Sequence, residues 1–231
     1  MSDKKKKVEE LLCSIKGQIG KVIPFDLKNK DILTIELSDS NKDLKKIDIS
    51  DTKQFTEYIF SGIKKNKAVI GISGYAENRT IYKTSALFNS RKEPRSIHIG
   101  IDIWMEEGTK VYCPLQGILH SSNYNTGFGD FGPTIIIEHN IDGICFYTMY
   151  ANLSLGSLKD IKPGYKYSKG DVIGEVGGSA ENGQWPPHLH FQVITDMLGK
   201  KGDFYGVITD SEKKYILQYC VDPNLILNLD I

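Results

Sequence analysis

The sequence lacks three features that would place it in a specialised class of protein. It has no basic excess, because 29 lysines and arginines balance 29 aspartates and glutamates, so neither nucleic acid nor an anionic membrane is a predicted partner. It has no run of the roughly 18 apolar residues that a membrane-spanning helix needs. It has no C-x-x-C pair of the kind found in structural zinc knuckles. Four well-separated cysteines are expected to be free thiols: Cys13, Cys113, Cys145 and Cys220.

A secretory signal is also missing from the sequence as given. The first residues, MSDKKKKVEELL, lack the apolar stretch that follows the positive charges in such a signal. We therefore expect the chain to stay in the cytoplasm, and we interpret Lys4 to Lys7 as a solvated tail. Hydrophobic residues make up 40% and charged residues 25% of the chain. These proportions are ordinary for a globular protein, so wholesale disorder is not expected.

The first 85 residues show helix and strand patterns but no chemical motif. Apolar spacing predicts helices over 3–19 and 51–65 and strands over 32–37 and 67–74. We interpret residues 1–85 as a smaller α+β extension that packs on a larger domain, residues 86–231.

From residue 97 onward the pattern changes to short strands separated by turns rich in glycine. Strands are predicted over 97–104, 110–119, 133–139, 144–150, 172–176 and 188–195. Such spacing predicts a mainly β domain folded as an antiparallel β-sandwich or open barrel.

The first candidate half-site lies in the strand IHIGIDIW, residues 97–104. Side chains alternate between the two faces of a strand, so the isoleucines should face the core, and His98 and Asp102 should share the other face. A straight strand would separate these two residues by about 13 Å. One zinc ion, with bonds of about 2.1 Å, could not reach both. We therefore predict that the strand bends or ends near Gly100.

The second candidate half-site lies in HLHFQVI, residues 188–194. His188, His190 and Gln192 should share one face, while the intervening apolar residues face the core. This geometry allows both histidines to bind a metal, or one to bind while the other acts on substrate. Two imidazoles and a carboxylate suit zinc, and a catalytic site keeps one position open. His120 and His139 are interpreted as ordinary polar residues.

These residues lie within an ordered set of motifs that resembles the lysostaphin/LytM family of zinc metalloendopeptidases over roughly residues 95–195. The motifs are H-x-G-x-D at 98–102, G-T-x-V at 108–111, P-x-x-G at 114–117, E-H-x-x-x-G at 138–143, a loose K-x-G-D-x-I-G match at 169–174 and P-H-L-H-F at 187–191. The resemblance implies a lysostaphin-like (duplicated hybrid motif) antiparallel β fold. It also implies Zn2+ held by His98, Asp102 and His190, with His188 as a catalytic residue.

Part of the sequence resembles a narrower branch, whose members include domains joined to class III aminotransferases. The matching runs are W-P-P-H-L-H-F-Q at 185–192, G-D-F-x-G-V at 202–207 and D-P-N-L at 222–225. Such proteins need not act on cell wall.

One departure from the family pattern concerns catalysis. The family usually has Y-x-H-L where this sequence has Y-A-N-L at 150–153, so Asn152 stands in place of a second catalytic histidine. An amide can donate a hydrogen bond to an oxyanion, but it cannot exchange a proton near neutral pH. The resemblance thus implies zinc-dependent hydrolysis of a peptide or amide, assisted by His188 and Asn152. Tyr150 and Trp185 are the candidate substrate-binding residues.

Three functions stay open at this point. The chain is a peptidase weakened by Asn152, a zinc-containing binding module that has lost catalysis, or a specialised amidase for a small cytoplasmic substrate. The expected partner is a peptide or small amide, and the sequence does not indicate an oligomeric state. Asn78 or Arg79, in GYAENR, is a candidate to cover the site from the N-terminal region, because it lies close to His98 in the sequence.

Overall fold

The computed structural model describes residues 3–26, 31–79, 81–84, 88 and 93–229. Its α-helices are α1 (Asp3–Ser14), α2 (Thr52–Lys65), α3 (Lys213–Ile216) and α4 (Asn224–Leu227), and its 3-10 helices are Lys16–Gln18, Leu44–Lys46, Ile81–Thr84, Leu155–Leu158 and Leu217–Tyr219. Its strands are β1 (Ile32–Thr34), β2 (Ile70–Ser73), β3 (Ile97–His98), β4 (Ile101–Trp104), β5 (Lys110–Tyr112), β6 (Gly117–Asn125), β7 (Gly132–Ile141), β8 (Ile144–Ala151), β9 (Lys166–Tyr167), β10 (Val172–Glu175), β11 (His188–Ile194), β12 (Val207–Ile208) and β13 (Cys220–Val221). In this described part, no helix has both the length and the apolar character needed to cross a membrane.

A large mixed sheet organises the molecule. Within the described ranges it contains nine strands, in the order β1-β2-β4-β11-β8-β7-β6-β9, with β13 also paired to β11. β1 and β2 are parallel, and the other neighbours in this order are antiparallel. The pairs β10–β5 and β12–β3 form two small antiparallel sheets. The fold is therefore mainly β with few and small helices, as the sequence predicts.

The N-terminal region is joined directly to this sheet. β2 pairs with β4 in the register Gly71↔Trp104, Ile72↔Ile103 and Ser73↔Asp102. Helix α1 buries Val8, Leu11 and Leu12 in the cluster that also contains residues of β4, β8 and β11. The predicted boundary between residues 85 and 86 falls outside the described residues.

Helix α2 covers the same edge of the sheet. Asp51 caps its N-terminus, because the carboxylate accepts hydrogen bonds from the backbone N–H groups of Lys53 and Gln54. Its apolar stripe is buried, and the Phe55 ring packs edge-on against Trp104 of β4 at 5.9 Å. The helix thus places an aromatic wall beside the residues of β4.

The predicted strand over residues 97–104 is divided at Gly100 into β3 and β4. β4 joins the large sheet, whereas β3 pairs with β12. Our expectation that the four isoleucines share one core face is wrong. Ile97 and Ile99 pack in one cluster, and Ile101 and Ile103 in another, because the chain crosses from one face of the sheet to the other at the bend.

The predicted elements over 110–119 and 3–19 also differ from the structure in their bounds. The strand over 110–119 is split into β5 and β6 around Pro114, which lacks the N–H needed to continue a ladder. The first helix ends at Ser14 rather than at residue 19, and a 3-10 turn containing Gly17 follows it.

Candidate metal centre

Three buried side chains meet where β3, β4 and β11 converge. Asp102 lies directly opposite His190 in the β4–β11 register. His98 Nε2 is 2.9 Å from His190 Nδ1 and 3.2 Å from Asp102 Oδ1. His190 Nδ1 is 2.9 Å from the same carboxylate oxygen. The bend at Gly100 has therefore brought His98 and Asp102 into contact, as predicted from the sequence.

The donor set fits a divalent metal ion such as zinc. Zinc bonds of about 2.1 Å in a tetrahedron place neighbouring ligand atoms about 3.4 Å apart, close to the 2.9–3.2 Å found here. His190 Nε2 lies 2.9 Å from Gln192 Oε1. Because that amide oxygen only accepts hydrogen bonds, Nε2 carries the proton, and the lone pair of Nδ1 faces the cluster.

The charges of these groups also suit metal binding. Burial lowers the pKa of His98 to about 3, and the nearby Arg79 charge adds to this effect. Burial alone would raise the pKa of Asp102, but His98 and Arg79 hold it well below its ordinary value. At neutral pH the histidine is neutral and the aspartate ionised, which are the states that metal ligands need.

His188 lies beside the cluster without joining it. Its Nδ1 donates to the backbone oxygen of Pro186 at 2.8 Å, which leaves Nε2 unprotonated, 3.9 Å from Asp102 Oδ1. The imidazole ring packs on Trp104, with 4.5 Å between ring centroids. Burial lowers the pKa of His188 to about 4. The ring is thus neutral, held in one orientation, and able to accept a proton.

Arg79 reaches this centre from the N-terminal region. Its Nη1 donates to Asp102 Oδ2 at 2.5 Å and to the Tyr82 hydroxyl at 3.1 Å, and its Nε donates to Glu77 Oε2 at 2.8 Å. Arg79 is 1% exposed. The other candidate, Asn78, is exposed and does not line the cavity beside the metal centre. Arg79 is therefore the one of the two that contacts the site.

A cavity of about 290 Å³ opens beside the cluster, near the lower end of the size range of small-molecule sites. Aromatic rings form much of its wall: Tyr82, Phe88, Trp104, Phe131, Trp185, Phe204 and Tyr205. Charged side chains also line it, among them Lys200, Asp203 and Asp130. Trp185, a predicted substrate-binding residue, meets Tyr82 edge-on at 6.1 Å. The cavity can therefore accept a ligand with both apolar and polar groups.

Asn152 and Tyr150 have different positions relative to this cavity. Asn152 lines it, with a left-handed backbone (φ 61°), and its Nδ2 donates to the backbone oxygen of Asn182 at 2.9 Å. Tyr150 is fully buried against Phe191, its partner across β8 and β11. Opposite residues of paired strands share a face, and Phe191 faces away from His190. The assignment of Tyr150 to substrate binding is wrong for this reason.

The two remaining histidines have ordinary polar partners. His139 is buried, with Nδ1 2.8 Å from the oxygen of Gln116 and Nε2 2.7 Å from Thr148 Oγ1. His120 is partly exposed, with Nδ1 2.8 Å from Ser121 Oγ. Neither lines the cavity, in agreement with the sequence interpretation.

Three residues around the centre are not predicted from the sequence: Glu77, Tyr82 and Gln192. Glu77 and Tyr82 lie in a segment with no motif, so no local pattern pointed to them. Gln192 was placed on the histidine face of its strand, and that alternation could have identified it as the partner of His190.

The segment that contains His98, Asp102 and His190 is similar to known proteins. Residues 96–203 match the family model of peptidase family M23. The chain is similar to the L-Ala–D-Glu endopeptidase of Bacillus subtilis (strain 168), with 33% identity over 107 residues, which cover 44% of this chain and 31% of that protein. It thus spans about a third of the length of this relative.

Two solved structures are also similar to the chain. One is the catalytic domain of the antimicrobial peptidase lysostaphin from Staphylococcus simulans, at 26% identity and a TM-score of 0.40, covering 58% of this chain and 80% of that one. The other is a zinc-containing peptidase from Vibrio cholerae, at 27% identity and a TM-score of 0.34, covering 42% of this chain and 27% of that one.

Proposed function

The chain belongs to peptidase family M23 through residues 96–203, and on this premise we propose that it is a zinc-dependent hydrolase that cleaves a peptide or amide bond. His98, Asp102 and His190 are the proposed metal ligands. One observation carries the proposal: three ligand atoms lie 2.9–3.2 Å from one another, and the unprotonated Nε2 of His188 lies beside them.

In the proposed reaction, His188 transfers protons beside the metal site. Zinc bound here would lower the pKa of a coordinated water to about 7 and polarise the scissile carbonyl. His188 Nε2 takes a proton from the attacking water as its oxygen bonds to the carbonyl carbon. The same nitrogen then gives a proton to the amine that leaves when the carbon–nitrogen bond breaks. Pro186 and Trp104 hold the imidazole in the orientation that these transfers require.

Asn152 supplies a hydrogen-bond donor rather than a proton. One N–H of its amide is used by the backbone oxygen of Asn182, and the side chain lines the cavity. The second N–H is the proposed donor to the oxygen that becomes negative during attack. Asn152 cannot replace a histidine in proton transfer, so His188 carries this function by itself.

The proposed substrate is a peptide or a small amide. The Bacillus relative is named for cleavage of an L-Ala–D-Glu bond, so peptides containing that bond belong in the first substrate panel. Glycine-rich peptides and small amides complete it. The mixed aromatic and charged wall of the cavity supports a ligand of this kind.

Replacement of His190 by alanine tests the metal ligands and the reaction together. We expect His190→Ala to lose stoichiometric zinc, measured by elemental analysis, and to lose hydrolysis of any peptide that the wild type cleaves. His120→Ala is the matched control, because His120 lies outside the cavity, and it should keep both. Activity that persists in a zinc-free His190→Ala protein would contradict the proposed function.

A second candidate function is favoured by Asn152. In this alternative the zinc site recognises an amide or carboxylate, and the missing second histidine marks a loss of catalysis. Asn152→His distinguishes the two, because histidine, like asparagine, is among the residues that best tolerate the left-handed backbone found there.

If the chain is a weakened peptidase, Asn152→His should raise the rate of peptide cleavage, by up to about 10²- to 10⁴-fold for a well-placed acid–base group. The measurement is the initial rate on the same peptide panel, with bound zinc quantified in each protein. No gain with zinc fully bound would favour the binding module or a substrate outside the panel.

A further inference from the structure

The two carboxylate oxygens of Asp102 face different partners. Oδ1 faces the metal cluster, 3.2 Å from His98 Nε2 and 2.9 Å from His190 Nδ1. Oδ2 accepts the hydrogen bond from Arg79 Nη1. Arg79 lies outside the segment that matches the family, so the N-terminal region contributes directly to the surroundings of a metal ligand.

Arg79 is held in place from several directions. Its Nε donates to Glu77 Oε2 at 2.8 Å, and Glu77 Oε1 accepts from the backbone N–H of Leu37 at 2.7 Å. The backbone N–H of Arg79 donates to the oxygen of Ser96 at 2.8 Å. A guanidinium is planar and its N–H directions are fixed. With Nε held by Glu77, the contact to Asp102 Oδ2 is fixed as well.

This arrangement affects how Asp102 can bind a metal. A carboxylate can coordinate through one oxygen or through both. With three protein ligands that each give one atom, zinc keeps its fourth position for water, which a catalytic site requires. If Oδ2 were free to turn inward, the carboxylate could take that position itself.

We propose that Arg79 is a positioning residue that keeps Asp102 a one-oxygen ligand and thereby keeps one coordination position open. This inference rests on the proposed function, because it assumes a metal at His98, Asp102 and His190. It implies that the N-terminal region controls how Asp102 coordinates the metal, because Glu77 holds Arg79 and Arg79 holds Asp102.

Substitution of cobalt(II) for zinc in the full chain tests the proposal without relying on activity. Four-coordinate tetrahedral cobalt absorbs visible light much more strongly than five- or six-coordinate cobalt. The wild type should give the intense tetrahedral spectrum. Arg79→Met removes the donor to Oδ2, so the carboxylate can bind through both oxygens, and a clear loss of visible absorbance at full cobalt occupancy is expected.

Two further variants control this experiment. Glu77→Gln keeps a side-chain oxygen that can accept from Arg79 Nε, so Arg79 should still face Asp102 and the wild-type spectrum should be kept. Arg79→Lys keeps the charge, but one ammonium cannot occupy both N–H positions of the guanidinium, so a smaller loss of absorbance is expected. If Arg79→Met fails to fold, Arg79→Lys decides the question in its place.

The outcomes separate this inference from the proposed function. A protein that binds no cobalt or zinc overturns both. A wild-type protein that binds one metal ion, with an unchanged spectrum in Arg79→Met, overturns only the role of Arg79. An equal loss of absorbance in Glu77→Gln also overturns that role, because this variant keeps both the Arg79 donor and an oxygen that accepts from Arg79 Nε. Higher peptidase activity in Arg79→Met would also overturn that role, because Arg79 would then block the site rather than keep a coordination position open.

Discussion

At the residue scale, His139 couples the stability of the protein to pH without involving the metal centre. Burial lowers its pKa to about 4 in the folded chain, whereas an unfolded histidine titrates near 6.5. Between these values the unfolded chain binds more protons, so stability rises with pH across this window and falls as the solution is acidified. The stabilisation is fully present above about pH 6.5 and is lost towards pH 4.

The measurement is urea unfolding of wild type and His139→Gln at pH 7 and pH 5. We expect the wild type to lose about 2 kcal/mol more than the variant between these two conditions, from the difference between the two pKa values. The proposed metal ligands are identical in both proteins, so the difference isolates His139. Equal losses in the two proteins would contradict the expected coupling.

Several site residues could be predicted because each has a local pattern. Alternation along β11 predicted that His188, His190 and Gln192 share a face, and the need for a common metal predicted the bend that brings His98 to Asp102. Tyr150 is misplaced, because the Y-A-N-L run does not show which strand it pairs with and so which face its side chain occupies. Its strand alternation shows that Tyr150 faces the core, and the left-handed backbone of Asn152, which the sequence does not reveal, breaks that alternation two residues later.

At the scale of the element, the interruption between β3 and β4 depends on Gly100. A Cβ at this position would lie 2.5 Å from His190 Cε1 and 2.8 Å from His190 Nε2. Gly100→Ala should therefore displace His190, a proposed metal ligand, lowering stability by about 1–3 kcal/mol through overpacking and zinc affinity by the order of tenfold. Gly17→Ala is the control, because nothing lies within 4 Å of its added Cβ.

Chelator competition gives the zinc affinity, and urea unfolding gives the stability, for the wild type and these two variants. If Gly100→Ala binds zinc as tightly as Gly17→Ala, the bend does not depend on the absent side chain.

The strand pattern predicted most elements, but not where a long apolar run would be divided. At residues 97–104 the hydrophobic pattern did not predict a bend. The bend was predicted because two proposed ligands of one metal ion had to come together. No such requirement applies to residues 110–119, where the break around Pro114 was overlooked despite the missing N–H. The ends of helices and strands depend on tertiary contacts, and a local sequence pattern carries no information on those contacts.

At the scale of the whole molecule, the sequence indicates that Asn78 or Arg79 could reach the site, but it does not show which of the two contacts Asp102. Proximity in sequence suggested Asn78 or Arg79, and only the pairing of the segment with β3 decides between them. His98 N–H donates to the Glu77 oxygen at 2.9 Å, and Arg79 N–H donates to Ser96. This pairing directs the Arg79 side chain inward and leaves Asn78 exposed.

Residues 86–231 depend on contacts with the N-terminal region, so we predict that this larger domain does not fold properly by itself. A chain of residues 86–231 loses β2, so β4 becomes an edge strand, and Trp104 loses the Ser73 hydroxyl that accepts from its Nε1 at 2.8 Å. It also loses α2, whose Phe55 packs on Trp104. An exposed apolar edge favours aggregation. We expect this fragment to be poorly soluble or to unfold without cooperativity, and to bind zinc weakly.

Co-expression with residues 1–85 is the control, since the missing strand can then be supplied as a separate chain. It should restore soluble 86–231, with near-ultraviolet circular dichroism and zinc stoichiometry like those of the full chain. If the fragment by itself unfolds cooperatively and binds zinc as the full chain does, the N-terminal region is an independent module. The buried contacts of Arg79 would then be dispensable for building the metal centre, although its effect on the coordination of Asp102 would still be measurable in the full chain.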